Sequence, residues 1–178
     1  MKTYTHQLNE VSEKALASAL GKRAGFMFPE ATLSVSSDGV LTSSVSISLG
    51  HKSYLIVEND WADTPIAALN YYLLSASLSD RPKDIKVTEH TGPGWLHHFA
   101  STLDTWSPTI VDRIAIYEFS EAFEDETVNY DSAILISYEA GQVLLSPEQS
   151  ISGFIEINYK QKDIKEILDT MRLRKEIY

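Results

Sequence analysis

Cysteine is missing from the 178 residues. Disulfides and thiolate metal sites are therefore excluded, and the fold must rest on packing and hydrogen bonding. A chain free of cysteine suits a reducing compartment. Long apolar runs are missing too. The segments 54–57 and 71–74 are short and strand-like, far from the ~20 residues a membrane-crossing helix needs. The opening Met1-Lys2-Thr3-Tyr4-Thr5-His6-Gln7 is polar and leads into no apolar segment, so no secretory signal is expected and the chain reads as cytoplasmic. Linkers, low-complexity tracts and fixed-period repeats are not found. With 43% hydrophobic and 22% charged residues, the composition is that of an ordinary globular protein, and the length suits a single domain over 1–178.

Phosphate-binding loops are also lacking. Neither G-x-x-x-x-G-K-[ST] nor G-x-G-x-x-G occurs, and in Gly92-Pro93-Gly94 the proline removes a backbone donor that a phosphate would use. No G-x-S-x-G nucleophile elbow exists. His97-His98 are adjacent rather than four apart, so a zinc helix of the H-E-x-x-H kind is not present. The acids of 121–131 lack the alternation and central glycine of a calcium loop. No cofactor and no metal is expected.

The most telling scarcity is of positive charge. Between Arg113 and Lys160 there is no Lys or Arg at all, while that window holds Glu118, Glu121, Glu124, Asp125, Glu126, Asp131, Glu139, Glu148 and Glu156. Nine of the chain's 25 acids lie here. That leaves 16 acids against all 15 bases elsewhere, so nine of the ten units of net negative charge are local. Acidity of this kind disfavours nucleic-acid backbone and anionic lipid, which attract Lys and Arg.

What is present predicts an α+β fold. Residues 9–20 carry Val11, Ala15, Leu16, Ala19 and Leu20 at helical spacing, with Asn9 placed to cap the start and Gly21 the end. Residues 32–36 and 40–49 flank Ser37-Asp38-Gly39, a hairpin signal. In the second, Val45, Ile47 and Leu49 alternate with Ser44, Ser46 and Ser48, which predicts a serine face toward water. A third strand follows at 53–58. The stretch 66–78 fits a helix by spacing, but its alternating serines and paired tyrosines favour a strand from about Tyr71. Trp95, Leu96, Phe99, Leu103 and Trp106 fall on one helical face, which predicts a central helix at about 95–106. Strands are expected at 85–89, 113–119 and 154–159. A hairpin is expected at 133–138 and 142–146 across Glu139-Ala140-Gly141, and 120–131 reads as a loop or an exposed hairpin arm. A C-terminal helix is expected at about 162–174, with Ile164, Ile167, Leu168 and Met171 on its stripe. Strands in hairpin-like runs argue for a mostly antiparallel sheet with the three helices on one face.

A block of one charge on an otherwise balanced chain points to a surface that meets something positive. Carboxylates on a rigid hairpin focus a negative potential and attract a basic partner, and aromatics among them can act as anchors. The expected partner face is therefore Glu118, Glu121, Phe123, Glu124, Asp125, Glu126, Tyr130 and Asp131. The function that follows is binding of a basic protein, most concretely as an immunity-type inhibitor of a toxin domain such as a nuclease, with the chain a monomer or homodimer. One alternative is an enzyme or small-ligand protein built around Trp95, His97 and His98. Another is an accessory subunit of a larger complex.

Overall fold

The computed structural model describes residues 2–29, 34–35, 39–98, 100–103, 110–148 and 153–178. In chain order the elements are β1 (Lys2–His6), α1 (Glu10–Ala17), β2 (Gly25–Phe28), β3 (Ser34–Val35), β4 (Gly39–Thr42), β5 (Ser44–Ser48), β6 (Tyr54–Glu58), β7 (Trp61–Asp63), β8 (Asn70–Tyr72), β9 (Ser75–Ser79), β10 (Lys86–Glu89), β11 (Trp95–His98), β12 (Ser101–Leu103), β13 (Val111–Phe123), β14 (Glu126–Tyr138), β15 (Gly141–Pro147), β16 (Ile155–Asn158), α2 (Gln161–Leu168) and β17 (Arg172–Ile177).

Period-two patterning makes two sheets. The larger runs β17-β13-β14-β15-β16-β4-β3 with antiparallel neighbours, and β1 joins it in parallel along the far half of β14, with Lys2 opposite Glu126 and His6 opposite Tyr130. The smaller runs β12-β2-β5-β6-β9, and β7-β8 and β10-β11 are separate two-stranded ribbons. Ile114, Ile116, Ile134, Ile136, Leu145, Ile155 and Ile157 of the large sheet meet Phe26, Val45, Ile47, Leu55 and Val57 of the small one, with Leu16 of α1 in the same core. Each such side chain contributes roughly 1.5–3 kcal/mol by leaving water. On the opposite face of the large sheet, Ile164 of α2 packs on Ala115, Ala133, Leu135 and Leu144.

Helix α1 starts as its sequence predicts: the Asn9 side chain accepts the Ser12 N–H at 2.9 Å. After it, Gly21 takes φ +70° and donates its N–H to the Val111 carbonyl at 2.9 Å, tying the helix exit to β13.

One irregularity positions the acidic segment. Tyr117 faces Ala133 across the β13–β14 ladder, but Glu118 faces Asp131, so Ser132 is an extra residue in β14. Such a bulge flips the alternation beyond it. Ala133 and Leu135 lie under α2 on one side of the bulge. On the other side Val128 and Tyr130 form a separate cluster with Leu69 and Tyr72. Asp131 turns toward α1, where the Leu8 N–H reaches it.

Several sequence expectations are corrected here. The chain is mostly antiparallel β with two helices among the described residues, not α+β with three. The central helix at about 95–106 is replaced by β11, which pairs with β10, and β12, which pairs with β2. Its supposed apolar stripe is not a buried face, since Leu96 is 49% exposed; Phe99 and Trp106 lie outside the described residues. The C-terminal helix ends at Leu168, and the rest of the predicted 162–174 turns into β17 along the edge of β13. The stretch 66–78 holds β8 and β9, in line with the strand reading from Tyr71. Residues 120–131 are strand on both sides of a two-residue loop at Glu124-Asp125. The serine face of β5 is not wet: Ser44 and Ser46 are buried, and the Lys83 N–H donates to Ser46 Oγ at 2.9 Å.

Candidate functional site

The acidic window divides by exposure into an interior group and a tip. Glu118, Glu126 and Asp131 are buried. A buried carboxylate is tolerated only when hydrogen bonds and opposite charge replace its water, and each of the three finds its own replacement.

Asp131 accepts from Arg174 through Nε at 2.6 Å and Nη2 at 2.7 Å, and from the Leu8 N–H at 2.7 Å. The same Arg174 reaches Glu13 of α1 at 3.0 Å, and Lys175 reaches Glu13 at 2.6 Å. Burial works to raise the Glu13 carboxyl, but the bonds and charges of Lys175 and Arg174 outweigh it and hold the group below its ordinary range. Glu118 accepts from Arg172 Nη2 at 2.5 Å and from Gln7 Nε2 at 2.8 Å.

Glu126 is neutralised without a base. Its Oε1 accepts from the Tyr4 hydroxyl at 3.0 Å, and its Oε2 from the N–H groups of Ala67 at 2.7 Å and Ile66 at 3.3 Å. Burial again pushes this carboxyl up, and hydrogen bonds from Thr64, Ala67, Tyr4 and Ile66 bring it below its ordinary value. Thr64 Oγ1 also accepts the Leu69 N–H at 3.0 Å, so the 64–69 turn is folded around the end of β14.

Tyr130 is buried as well. Its ring lies 5.8 Å from Tyr72, edge-on, and 5.8 Å from Phe119. Four of the eight residues expected on the partner face are thus taken off the surface: Glu118 and Asp131 by the two arginines of β17, Glu126 by Tyr4 and the 64–69 turn, and Tyr130 by its packing on Tyr72 and Phe119.

The other four form the tip. Glu121, Phe123, Glu124 and Asp125 are all exposed, Phe123 at 56%. Glu124 has φ +52° at the first position of the loop. Lys2 is the nearby base. Its N–H donates to the Asp125 carbonyl at 2.6 Å, and its ammonium lies 4.9 Å from the Tyr4 ring centroid.

Trp95, His97 and His98 share β11, where neighbouring side chains point to opposite faces. His97 Nε2 is 2.8 Å from the Tyr54 hydroxyl, and burial lowers its pKa. His98 Nε2 is 2.9 Å from Thr88 Oγ1. Trp95 donates its ring N–H to the Asp80 carbonyl at 2.6 Å, with the Lys52 ammonium 3.9 Å and the Arg81 guanidinium 4.9 Å from its ring centroid. These contacts fasten the β10–β11 ribbon, and the two histidines find different partners, Tyr54 and Thr88. Among the described residues no group of three His, Asp or Glu is gathered closely enough to hold a metal ion, and no helix is long and apolar enough to cross a membrane.

The residues that neutralise the interior acids were not found from the sequence. For Arg172 and Arg174 a signal did exist: charged residues two apart share one face of a strand. For Tyr4, Thr64, Ile66 and Ala67 no local signal exists, since two of the donors are backbone N–H groups. Compared with family models, curated proteins and solved structures, the chain shows no significant similarity to any.

Proposed function

We propose that the chain is an acidic binding protein of the immunity type, acting in the cytoplasm, which neutralises a basic protein such as a nuclease toxin domain, and that the end of the β13–β14 hairpin is its contact surface. One observation carries the reading. Phe123, more than half exposed, stands among the exposed Glu121, Glu124 and Asp125 at the end of two 13-residue strands. An aromatic ring bordered by carboxylates combines an apolar anchor with a field that steers a cationic surface toward it. A carboxylate-rich tip can occupy a phosphate-binding cleft by offering charge where substrate would offer it.

The buried acids support the tip from within. Glu126 fixes the 64–69 turn against the hairpin, and Glu118 and Asp131 fasten its base to β17. A rigid arm loses little entropy on docking. Glu126 therefore belongs to the scaffold, and substitutions that probe contact are confined to exposed positions.

Wild type and the Glu124→Lys/Asp125→Lys variant, used as paired baits in extract of the native host, test the reading. A basic protein that binds wild type at one to one, with an association rate that falls steeply with salt, and that associates more slowly with the equally stable variant, is the expected result. Recovery of the same partner by both baits with equal rates rejects the tip as contact surface.

A further inference from the structure

Where the C-terminal turn of α2 meets the far half of the β13–β14 hairpin, a pocket of about 120 Å³ opens. Tyr72, Phe119 and Tyr130 wall it, the buried Ser132 and Ser146 line it, and Glu156 from β16 supplies a carboxylate. We propose that this pocket receives a methylated ammonium group, with Tyr72, Phe119 and Tyr130 as an aromatic cage and Glu156 as its counter-charge.

The ring geometry supports a cation. Tyr72 and Phe119 each lie 5.8 Å from Tyr130, with planes inclined to it by 62° and 57°. Inclined rings make a corner rather than a stack, and all three line the pocket, so a cation seated there has aromatic neighbours on more than one side. The bulge at Ser132 creates this corner, because it brings Tyr130 to the same face of the sheet as α2.

Charge selects the sign of the ligand. Among the described residues, no Lys, Arg or His lines the pocket. The Tyr72 and Tyr130 hydroxyls are held above their ordinary value, first by burial and then by nearby carboxylates, Glu148 for Tyr72 and Glu121 for Tyr130. They stay protonated at neutral pH, so the negative potential comes from carboxylates and π-faces. A cation gains from Glu156 and an anion is repelled by it, whereas a neutral apolar ligand gains nothing from the carboxylate.

Size selects the headgroup. The volume is well under the roughly 300–1,000 Å³ of sites for drug-sized ligands and about four times the roughly 30 Å³ share of one water. It accommodates a compact headgroup whose tail leaves through the mouth. A methylated ammonium gives up its hydration more easily than a bare one, so it gains more from aromatic walls. Choline-like small molecules and a methylated lysine side chain both present this chemistry.

The proposal is independent of the hairpin tip and goes beyond the toxin-inhibitor reading. Its test is an NMR titration of the intact chain with tetramethylammonium chloride, with sodium chloride at equal ionic strength as the control. Saturable shifts at Tyr72, Phe119 and Tyr130 are expected, and their absence overturns the proposal. Glu156→Gln keeps shape, and Phe119→Leu alters a half-buried wall. Each is expected to weaken binding about tenfold, about 1.4 kcal/mol, with an otherwise native spectrum. Undiminished affinity in both variants overturns the proposal, as does equal binding of choline and its uncharged analogue 3,3-dimethylbutanol. A comparison of choline with a trimethyllysine peptide against its unmethylated form then assigns the source: tighter choline binding indicates a free small molecule, tighter peptide binding a modified protein. The Glu124→Lys/Asp125→Lys variant is expected to retain tetramethylammonium binding, so this inference and the proposed function can fail separately.

Discussion

Arg174 grips both carboxylate oxygens of Asp131, 43 positions earlier in the chain, at 2.6 and 2.7 Å. Asp131 is buried and Arg174 largely so, with 1% and 16% of the two side chains exposed, and the pair's other contacts run to Glu13 and Leu8. A feature that reads in the sequence as surface charge is, at this position, a bolt through the middle of the fold. It joins the start of the chain, the long hairpin and the last strand.

Removing one member of such a pair leaves the other charged and unpaired in the interior. Arg174→Met, which keeps much of the volume, is expected to cost about 3–5 kcal/mol. Arg174→Lys keeps the charge but loses the planar fork and is expected to recover only part of that loss. Urea unfolding monitored by circular dichroism measures both. A cost below about 1 kcal/mol for Arg174→Met, within the range of exposed ion pairs, means the bolt does not hold.

Acid should loosen the hairpin at Glu126. Its carboxyl, ordinarily at 4.5, is lower in the fold despite its burial, because Thr64, Ala67, Tyr4 and Ile66 hydrogen-bond the ionised form. A depressed folded value stabilises the protein fully above the unfolded value and loses that contribution as pH falls through the folded one. Glu13, lowered in the same direction, adds to the effect. Stability is therefore expected to drop as pH goes below 4.5, with a shallower drop in Glu126→Gln. Identical slopes for variant and wild type across that range contradict the assignment.

His97 works in a higher window. Burial beside Tyr54 lowers its pKa from 6.5, so the fold favours the neutral ring. Its contribution is complete above pH 6.5 and is lost as pH falls through the lower folded value. Chemical denaturation across this interval is expected to show a decline that His97→Gln abolishes, with stability at neutral pH within about 1 kcal/mol of wild type. NMR titration of the ring reads the same displacement directly.

The hairpin loop carries a correctable strain. Glu124 holds φ +52° at the first of two loop positions, where primed turns favour glycine, and the left-handed region costs an ordinary residue roughly 1–2 kcal/mol. Glycine also loses more freedom on folding. The net expectation for Glu124→Gly is a gain of up to about 1 kcal/mol and a melting temperature higher by roughly 2–4 °C. A lower melting temperature shows that the carboxylate itself supports the turn.

Local chemistry was legible where neighbours in sequence are neighbours in space. Asn9 caps α1, the 133–146 hairpin turns at Glu139-Ala140, and the paired tyrosines at 71 and 72 lie in a strand. Legibility ended where partners are remote. Trp95, Leu96 and Leu103 satisfy helical spacing, yet β10 and β2 offer ladders that recruit the segment as two strands. Arg172 and Arg174 look like the basic end of a helix. They extend instead because the open edge of β13 and two interior carboxylates await them. The parallel docking of β1 on β14 joins residues 124 apart in number and leaves no trace in either strand. Of the candidate face, exposure at 121–125 could be read from charge. Glu118 follows Ile114 and Ile116 inward by simple alternation along β13, whereas the inward turn of Tyr130 and Asp131 depends on one extra residue at Ser132 that no alternation rule anticipates.

The spacing of acids and bases has a consequence during synthesis. Asp131 leaves the ribosome 43 residues before Arg174, and Glu118 leaves 54 before Arg172. At about 5–20 residues per second, the nascent hairpin waits roughly several seconds for its counter-ions. Through that interval Glu118 and Asp131 are without the arginines that hold them in the finished fold. The contacts that bind the long hairpin to β17 can form only after the whole hairpin has been made.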